Sequence, residues 1–337
     1  MSVKLMDCTL RDGGNVVGKG FNAEITDIVL DGLTSCGVPI IEFGNAGGIG
    51  AYEVAGFTKA ETDETYLRIA QRYMDRGAEL GMFLNAKRYL KKNVDAAKEA
   101  SLAFLRVGAD AGDHEISIPA VKDIKAAGLK AFYSEMKAYV LSPDELAEEA
   151  RILEDAGLDM ITIMDSAGTM VPEQVAEYTT KMKAAVKIPV AFHCHNNLYL
   201  SAANAIAAYE NGADILDCGL MGMARSAGNL ATEACVALMH RYGEMKDIDL
   251  YKMLRFIDQR LMPAMEPFGY HNPVAPIDLI FGLSGCHSSF LKRYQTIAEE
   301  TGTDLYQLIV ETSAINRKAP SEELIRSVAE KLPKAVC

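Results

Sequence analysis

The sequence predicts an α/β fold, a (β/α)8 TIM barrel with a small helical C-terminal domain, and three observations carry that prediction. Short apolar runs alternate with longer helix-period segments eight times over about 250 residues, the length such a barrel requires. Several of the helical segments end in a glycine placed to stop a helix just before the next apolar run. No GxGxxG phosphate fingerprint follows the first run, which removes the main support for an open doubly wound sheet.

The candidate strands, in order, are Val3–Cys8, Ile40–Phe43, Gly81–Leu84, Phe104–Val107, Ala131–Glu135, Met160–Met164, Pro189–His193 and Ile215–Gly219. The helix stops are SCGVP before the second strand, AAGLK before the fifth, EDAGLD before the sixth and YENGAD before the eighth. Ser142-Pro-Asp-Glu reads as a helix start, with a serine cap, a proline and acidic residues in the first turn. From about Leu261 the strand rhythm stops, and Ser288–Thr301, Asp304–Ala314 and Ser321–Leu332 read as helices. The expected division is a catalytic barrel over residues 1–260 and a helical domain over 261–337.

Composition narrows the function classes. Lys+Arg total 34 against 46 Asp+Glu, a net charge of -12 without a basic stripe, so nucleic acid and anionic membrane surfaces are not expected partners. The start, MSVKLMDCTL, lacks the pattern of a secretory leader, and no run of about 18 apolar residues follows. The expected location is the cytoplasm. The seven cysteines are scattered without a CxxC pair and read as small buried hydrophobes.

Barrel enzymes place their chemistry at the C-terminal ends of the strands. There the first strand runs into Arg11 and Asp12 beside Gly13-Gly14, the sixth into Asp165 and Ser166, the seventh into His193-Cys-His195, and the eighth through a glycine-rich loop to Asn229. Residues two apart in a strand share a face, so the two imidazoles point together and Cys194 points away. A carboxylate and two imidazoles meeting there would form a three-ligand divalent site with open positions, suited to Mn, Mg, Co, Fe or Zn. Such an ion, chelated by a 2-oxo acid, stabilises an enolate, and Arg11 would add donors to the same oxyanion. Taken singly, each feature has a duller account: Arg11–Asp12 a surface ion pair, Asp165-Ser166 a helix cap, the glycines loop punctuation. Their joint placement in register at strand ends favours a site. Glu42, closing the second strand, is placed to contact the first-strand loop as a supporting carboxylate, and Arg106, at the end of the fourth, would belong to the same ring. Lys19 could meet a substrate anion or simply be exposed, and His114 and His240 read as solvent-facing.

Thr9-Leu-Arg-Asp-Gly13, His193-x-His-Asn196 and the AGN ending at Asn229 together resemble the DRE-TIM metallolyase superfamily. Ser284-Gly-Cys-His-Ser-Ser-Phe-Leu291 and the helical stretch after it resemble the C-terminal region of 4-hydroxy-2-oxovalerate (pyruvate) aldolases. The resemblance implies Asp12, His193 and His195 as metal ligands, with manganese first and magnesium, cobalt or zinc as alternatives. It also implies Arg11 as the residue that stabilises the pyruvate enolate, Ser166 as a contact of the bound 2-oxo acid, and Asn229 as a supporting or loop-ordering residue. The implied reaction is cleavage of a 4-hydroxy-2-oxo acid to pyruvate and an aldehyde. The implied partner is an acylating aldehyde dehydrogenase that takes the aldehyde directly, and a homo-oligomer is expected.

Two departures bear on the proton transfer. The aldolases carry a histidine as general base three residues after the aspartate, where this chain has Asn15, and a tyrosine where it has His287. An amide is not basic, whereas a histidine near pKa 6.5 can act as the base. The paired change suggests that His287 has taken that role, with His271 a second candidate. Four other readings share these residues: an acyl-CoA/2-oxo acid condensing enzyme or a 2-oxo diacid decarboxylase of the same superfamily, a non-haem iron oxygenase, and a non-catalytic scaffold.

Overall fold

Eight parallel strands close into a barrel in sequence order, β1 (Lys4–Asp7), β2 (Ile40–Phe43), β3 (Glu79–Asn85), β4 (Phe104–Asp110), β5 (Lys130–Met136), β6 (Met160–Asp165), β7 (Val190–Cys194) and β8 (Ile215–Cys218), with β8 pairing back to β1. The computed structural model describes residues 2–270, 276–284, 286, 290–316 and 319–334. His271, His287 and Ser288 lie outside them. The expected strands match within a few residues, and β4 runs on past Val107 to Asp110. Arg106 therefore lies in mid-strand, one layer below the rim, instead of at the strand end.

The helices α1 (Ala23–Ser35), α2 (Asp63–Ala70), α3 (Lys91–Glu99), α4 (Ile118–Ala126), α5 (Pro143–Asp155), α6 (Pro172–Ala185), α7 (Ser201–Glu210) and α8 (Thr232–Tyr242) surround the barrel. Ser142 caps α5 through a full capping box with Glu145, as its sequence predicts. A strand covered on both faces must be apolar throughout, which is why β6 reads Met-Ile-Thr-Ile-Met-Asp and is buried along its whole length. After α8 the chain continues through α9 (Leu250–Phe256), a π-turn, α10 (Met262–Met265), α11 (Pro276–Ser284), α12 (Leu291–Thr301), α13 (Leu305–Asn316) and α14 (Glu322–Ala329). The last three answer to the three expected helices; α9 to α11 were not read from the sequence.

The interior is layered. Met6, Ile40, Phe104, Phe132, Met160, Ala191 and Ile215 form an apolar plug, with Phe104 and Phe132 stacked at 4.5 Å. Above it, the next inward positions carry Cys8, Glu42, Arg106, Ser134, Thr162, His193 and Asp217, all buried. Gly108 on β4 leaves the space that Phe83 of β3 fills: a Cβ there would come within 2.2 Å of the Phe83 ring. That ring lies under the Arg11 guanidinium, 5.1 Å from it.

The six cysteines among the described residues are buried, as expected. No described helix is long and apolar enough to cross a membrane. His114 and His240 are half-buried, not solvent-facing: His114 Nδ1 is 3.2 Å from Glu149, and His240 Nε2 is 3.0 Å from the Met245 carbonyl. Lys19 is likewise half-buried, 3.4 Å from Asn15 Oδ1 and 5.3 Å from the Phe57 ring.

Glu135, on the helix-facing side of β5, is fully buried with neither carboxylate oxygen hydrogen-bonded. Burial first, and the charge of Glu149 second, push its pKa well above the ordinary 4.5. The neutral acid costs least below the ordinary value, and stability falls as pH rises from there through the elevated folded-state value. Glu135→Gln is expected to stabilise the protein by about 1–3 kcal/mol once the pH exceeds both values, with little effect at acid pH. Thermal unfolding at pH 4 and at pH 9 checks this, and a variant no more stable at the higher pH contradicts it.

Candidate metal and substrate site

The site is built from strand ends that barrel closure brings together. His193 ends the inward register of β7, and His195 follows on the same side, the ring centroids 5.4 Å apart and edge to face. Cys194, between them, points outward, its thiol 3.6 Å from the Ser201 carbonyl. Asp12 enters from the turn after β1, where the Cys8 carbonyl accepts the N–H groups of both Arg11 and Asp12. Asp12 Oδ2 lies 3.6 Å from His193 Nε2 and 3.8 Å from His195 Nε2. All three residues are buried. Donor atoms from the three lie within 4.8 Å of one another, close enough to hold one metal ion.

Two observations favour that assignment. His193 Nε2 is buried with no hydrogen-bond partner, an arrangement that costs stability unless a ligand takes the lone pair or proton. Burial, reinforced by the neighbouring His193, pulls His195 down to about 4, so its imidazole is neutral near pH 7, the form that ligates metal. For Asp12 burial acts upward, but Arg11 and then the two imidazoles override it and hold the carboxylate below its usual range. Asn229 Nδ2 donates to Asp12 Oδ2 at 2.9 Å and so fixes that oxygen. A second triplet, Cys8, His193 and Asp217, is also close enough. It suits a metal less well, because burial and then Asp217 push the Cys8 thiol well up, and Asp217 is already paired with Arg106.

Beneath the ligands runs a chain of buried charges. Arg11 Nη1 is 3.1 Å from Asp12 and its Nε donates to Glu42 at 2.5 Å. Arg106, fully buried, donates to both oxygens of Glu42 at 2.8 and 2.7 Å, and from its Nη1 to Asp217. Asp217 Oδ2 lies 3.4 Å from His193 Nδ1. The chain Arg11–Glu42–Arg106–Asp217–His193 thus joins the expected oxyanion donor to a metal ligand, and it leaves Arg11 Nη2 buried without a partner. Glu42 contacts the first-strand loop as its position implied.

A cavity of about 280 Å³ opens over these groups, lined by Arg11, Asp12, His193 and His195 together with Phe83, Asn85, Asp110, Met136, Lys137, Met164, Ser166 and Arg225. Ser166 Oγ accepts the Lys137 N–H at 2.9 Å, which leaves its own proton free to donate. Asp165 is structural: its carboxylate takes the N–H groups of Thr169 and Met170, each at 3.0 Å. Gly168, at φ 58°, lies against the segment that follows β7 so closely that a Cβ would approach the His195 carbonyl to 2.5 Å.

An HMGL-like family profile matches residues 2–259. The chain belongs to the HMGL-like family. It is 30% identical over 99% of its length to a 4-hydroxy-2-oxovalerate aldolase of Geobacillus genomosp. 3, covering 98% of that protein, and 32% identical over 98% of its length to one of Moorella thermoacetica, covering 97%. An oxaloacetate decarboxylase of Mycobacterium tuberculosis is 31% identical, with 92% of this chain and 90% of that one covered. The fold is shared with hydroxymethylglutaryl-CoA lyase of Pseudomonas aeruginosa (TM-score 0.67, 17% identity, 80% of this chain and 94% of that one). The expected membership of the DRE-TIM superfamily, and the reading as a carbon–carbon lyase, agree with these relatives.

In this HMGL-like chain the structure brings together all the site residues predicted within the described set: Arg11, Asp12, Glu42, Ser166, His193, His195 and Asn229. The sequence reading missed Asp217 and the cavity residues Asn85, Asp110, Lys137 and Arg225. Asp217 had a signal, since it stands two residues from Ile215 in β8, the same inward alternation that pairs His193 with His195. Lys137 and Arg225 sit on loops and had none.

Proposed function

We propose that this chain is a divalent-metal-dependent aldolase that cleaves a 4-hydroxy-2-oxo acid to pyruvate and an aldehyde by way of the pyruvate enolate. The observation that carries the reading is the convergence, in one cavity, of the Asp12, His193 and His195 donor atoms with the unpartnered Nη2 of Arg11. Asp12, His193 and His195 would hold the ion, manganese first, which when bound supplies Lewis-acid stabilisation to the 2-oxo acid. Arg11, fixed by Asp12 and Glu42, directs its free N–H at the oxygen that gains charge. Ser166 donates its hydroxyl proton to the substrate carboxylate. Asn229 orients Asp12. Asn15 donates to the backbone and side-chain oxygens of Asp12, at 2.9 and 3.2 Å, and has no basic atom. The base role for the 4-hydroxyl proton therefore goes to His287, and His287→Ala is expected to slow cleavage about 100-fold or more.

The barrel, residues 1–260, carries this chemistry in our reading, and residues 261–337 offer a docking domain for an acylating aldehyde dehydrogenase or for another copy in a homo-oligomer. A cytoplasmic location fits the substrate. Asn15 also favours a second reading: decarboxylation of a 2-oxo diacid needs no base for a hydroxyl, and one relative is named for that activity.

The test is exchange of the pyruvate methyl protons in D2O, followed by NMR with Mn(II) and with EDTA. Metal-dependent exchange is expected, together with aldehyde release from 4-hydroxy-2-oxo acids. No exchange, combined with carbon dioxide release from oxaloacetate above the rate of free Mn(II), would replace the aldolase reading with the decarboxylase.

A further inference from the structure

The cations along the cavity wall are unequally committed. Lys137 Nζ is 2.9 Å from Asp110, and Lys87, just outside the cavity, is 3.9 Å from Asp110 and 3.1 Å from Asp113. Arg11 is held by Asp12 and Glu42. Arg225 lines the same cavity, is exposed, and forms no ion pair or side-chain hydrogen bond with any described residue.

The loop that carries Arg225 is nonetheless well braced. The Arg225 carbonyl accepts the Gly228 N–H at 3.1 Å, the Gly222 carbonyl accepts the Asn229 N–H at 3.0 Å, and the Gly228 carbonyl accepts the Asn196 N–H at 2.8 Å. Ser226, next in the chain, takes a left-handed φ of 58° and accepts from Asn197 Nδ2 at 2.7 Å. The loop is thus tied to the segment that follows His195, and the guanidinium is presented to the cavity from a fixed backbone.

Asp110 and Asp113 balance Lys87 and Lys137, which leaves Arg225 as the surplus charge at the mouth. In the interior, Arg11 and Arg106 stand against Asp12, Glu42 and Asp217, one negative charge in excess. A divalent ion would make that end +1, and the carboxylate of a 2-oxo acid would neutralise it. Arg225 then has no counter-charge in a complex with a mono-acid. The cavity, about 280 Å³, has space for a molecule larger than pyruvate.

We propose that the half of the substrate released as the aldehyde carries an anionic oxygen group, a carboxylate or a phosphate, and that Arg225 binds it. The proposal rests on the aldolase reading and adds the class of acceptor. An arginine fork is the side chain best suited to either anion, because it offers parallel N–H donors at the spacing of two oxygens.

The test has two arms. In the aldol direction, with pyruvate and Mn(II), succinic semialdehyde is compared with butanal, and glyceraldehyde 3-phosphate with glyceraldehyde. Wild type is expected to favour at least one anionic member by about tenfold or more in kcat/KM. The pair that shows the preference distinguishes carboxylate from phosphate. Arg225→Gln is expected to bring the ratio close to one, and Arg225→Lys to restore part of it. In the binding arm, calorimetry on the Mn(II)-loaded protein compares 2-oxoglutarate, 2-oxopentanoate and inorganic phosphate added to the pyruvate complex. An anion preference that Arg225→Gln removes supports the proposal even when no aldehyde is turned over. Lack of turnover alongside lack of wild-type pyruvate exchange would then count against the aldolase reading alone. Equal use and equal binding of charged and neutral partners by wild type, or a preference that survives in Arg225→Gln, overturns the proposal.

Discussion

Arg106→Met is expected to destabilise the protein by about 3–5 kcal/mol, the largest stability effect of any single substitution in the site region. The arginine is fully buried and its guanidinium satisfies both oxygens of Glu42 and one of Asp217, each of which is itself buried. Burial acts to raise both carboxylates, and in each case Arg106 is the leading influence that holds them below their ordinary range. Removing the cation leaves two desolvated carboxylates that must take up protons or admit water. Glu42 would also lose the partner that orients it against Arg11, and Asp217 would be free to turn from His193. Arg106→Lys keeps the charge but cannot reach Glu42 with two donors and Asp217 with a third in the same geometry, so an intermediate loss is expected. Denaturant unfolding of the two variants checks the order. An Arg106→Met protein within about 1 kcal/mol of wild type would contradict the view that these carboxylates stay charged.

Asp12→Ala is expected to abolish metal-dependent pyruvate exchange and to weaken Mn(II) binding by more than the 10–100-fold typical of losing a group that merely supports a ligand. Asp12 supplies the one carboxylate within reach of both His193 Nε2 and His195 Nε2 in the triplet, and Asn229 holds its Oδ2 in place. Without it the two imidazoles remain with an arginine beside them and no negative ligand, an electrostatic setting that disfavours a dication. Calorimetric titration with Mn(II) reads the loss without reference to turnover. Asn229→Ala provides the comparison, since it should lower affinity within that 10–100-fold range. Undiminished Mn(II) binding by Asp12→Ala would sink the ligand assignment.

The features legible in the sequence are those set over short distances along the chain. Gly37, Gly128, Gly157 and Gly212, read as helix stops, all adopt positive φ, a property of the residue and its nearest neighbours. His193 and His195 share a face because a strand alternates with a period of two. Arg11, Asp12 and Ser166 follow strand ends, where barrel architecture places chemistry. Glu42 stands out as the one charged residue in the short run Ile40–Phe43.

The partners that decide the chemistry follow a different logic. Arg106 looked like a rim residue because the apolar run of β4 fades at Val107, while the hydrogen-bonded strand continues through Gly108-Ala-Asp110. Asp217 and Arg106 are 111 residues apart, and Asn229 and Asp12 are 217 apart, so no local pattern records that they meet. The sequence by itself determined the barrel, the inward pairing of the two histidines and the set of strand-end residues, because backbone propensity and periodicity act within a few residues. Closure of β8 onto β1 decided which charges share a low-dielectric interior, which arginine is spent on a carboxylate and which is left facing the cavity, because electrostatic pairing depends on distance in space and not on separation along the chain.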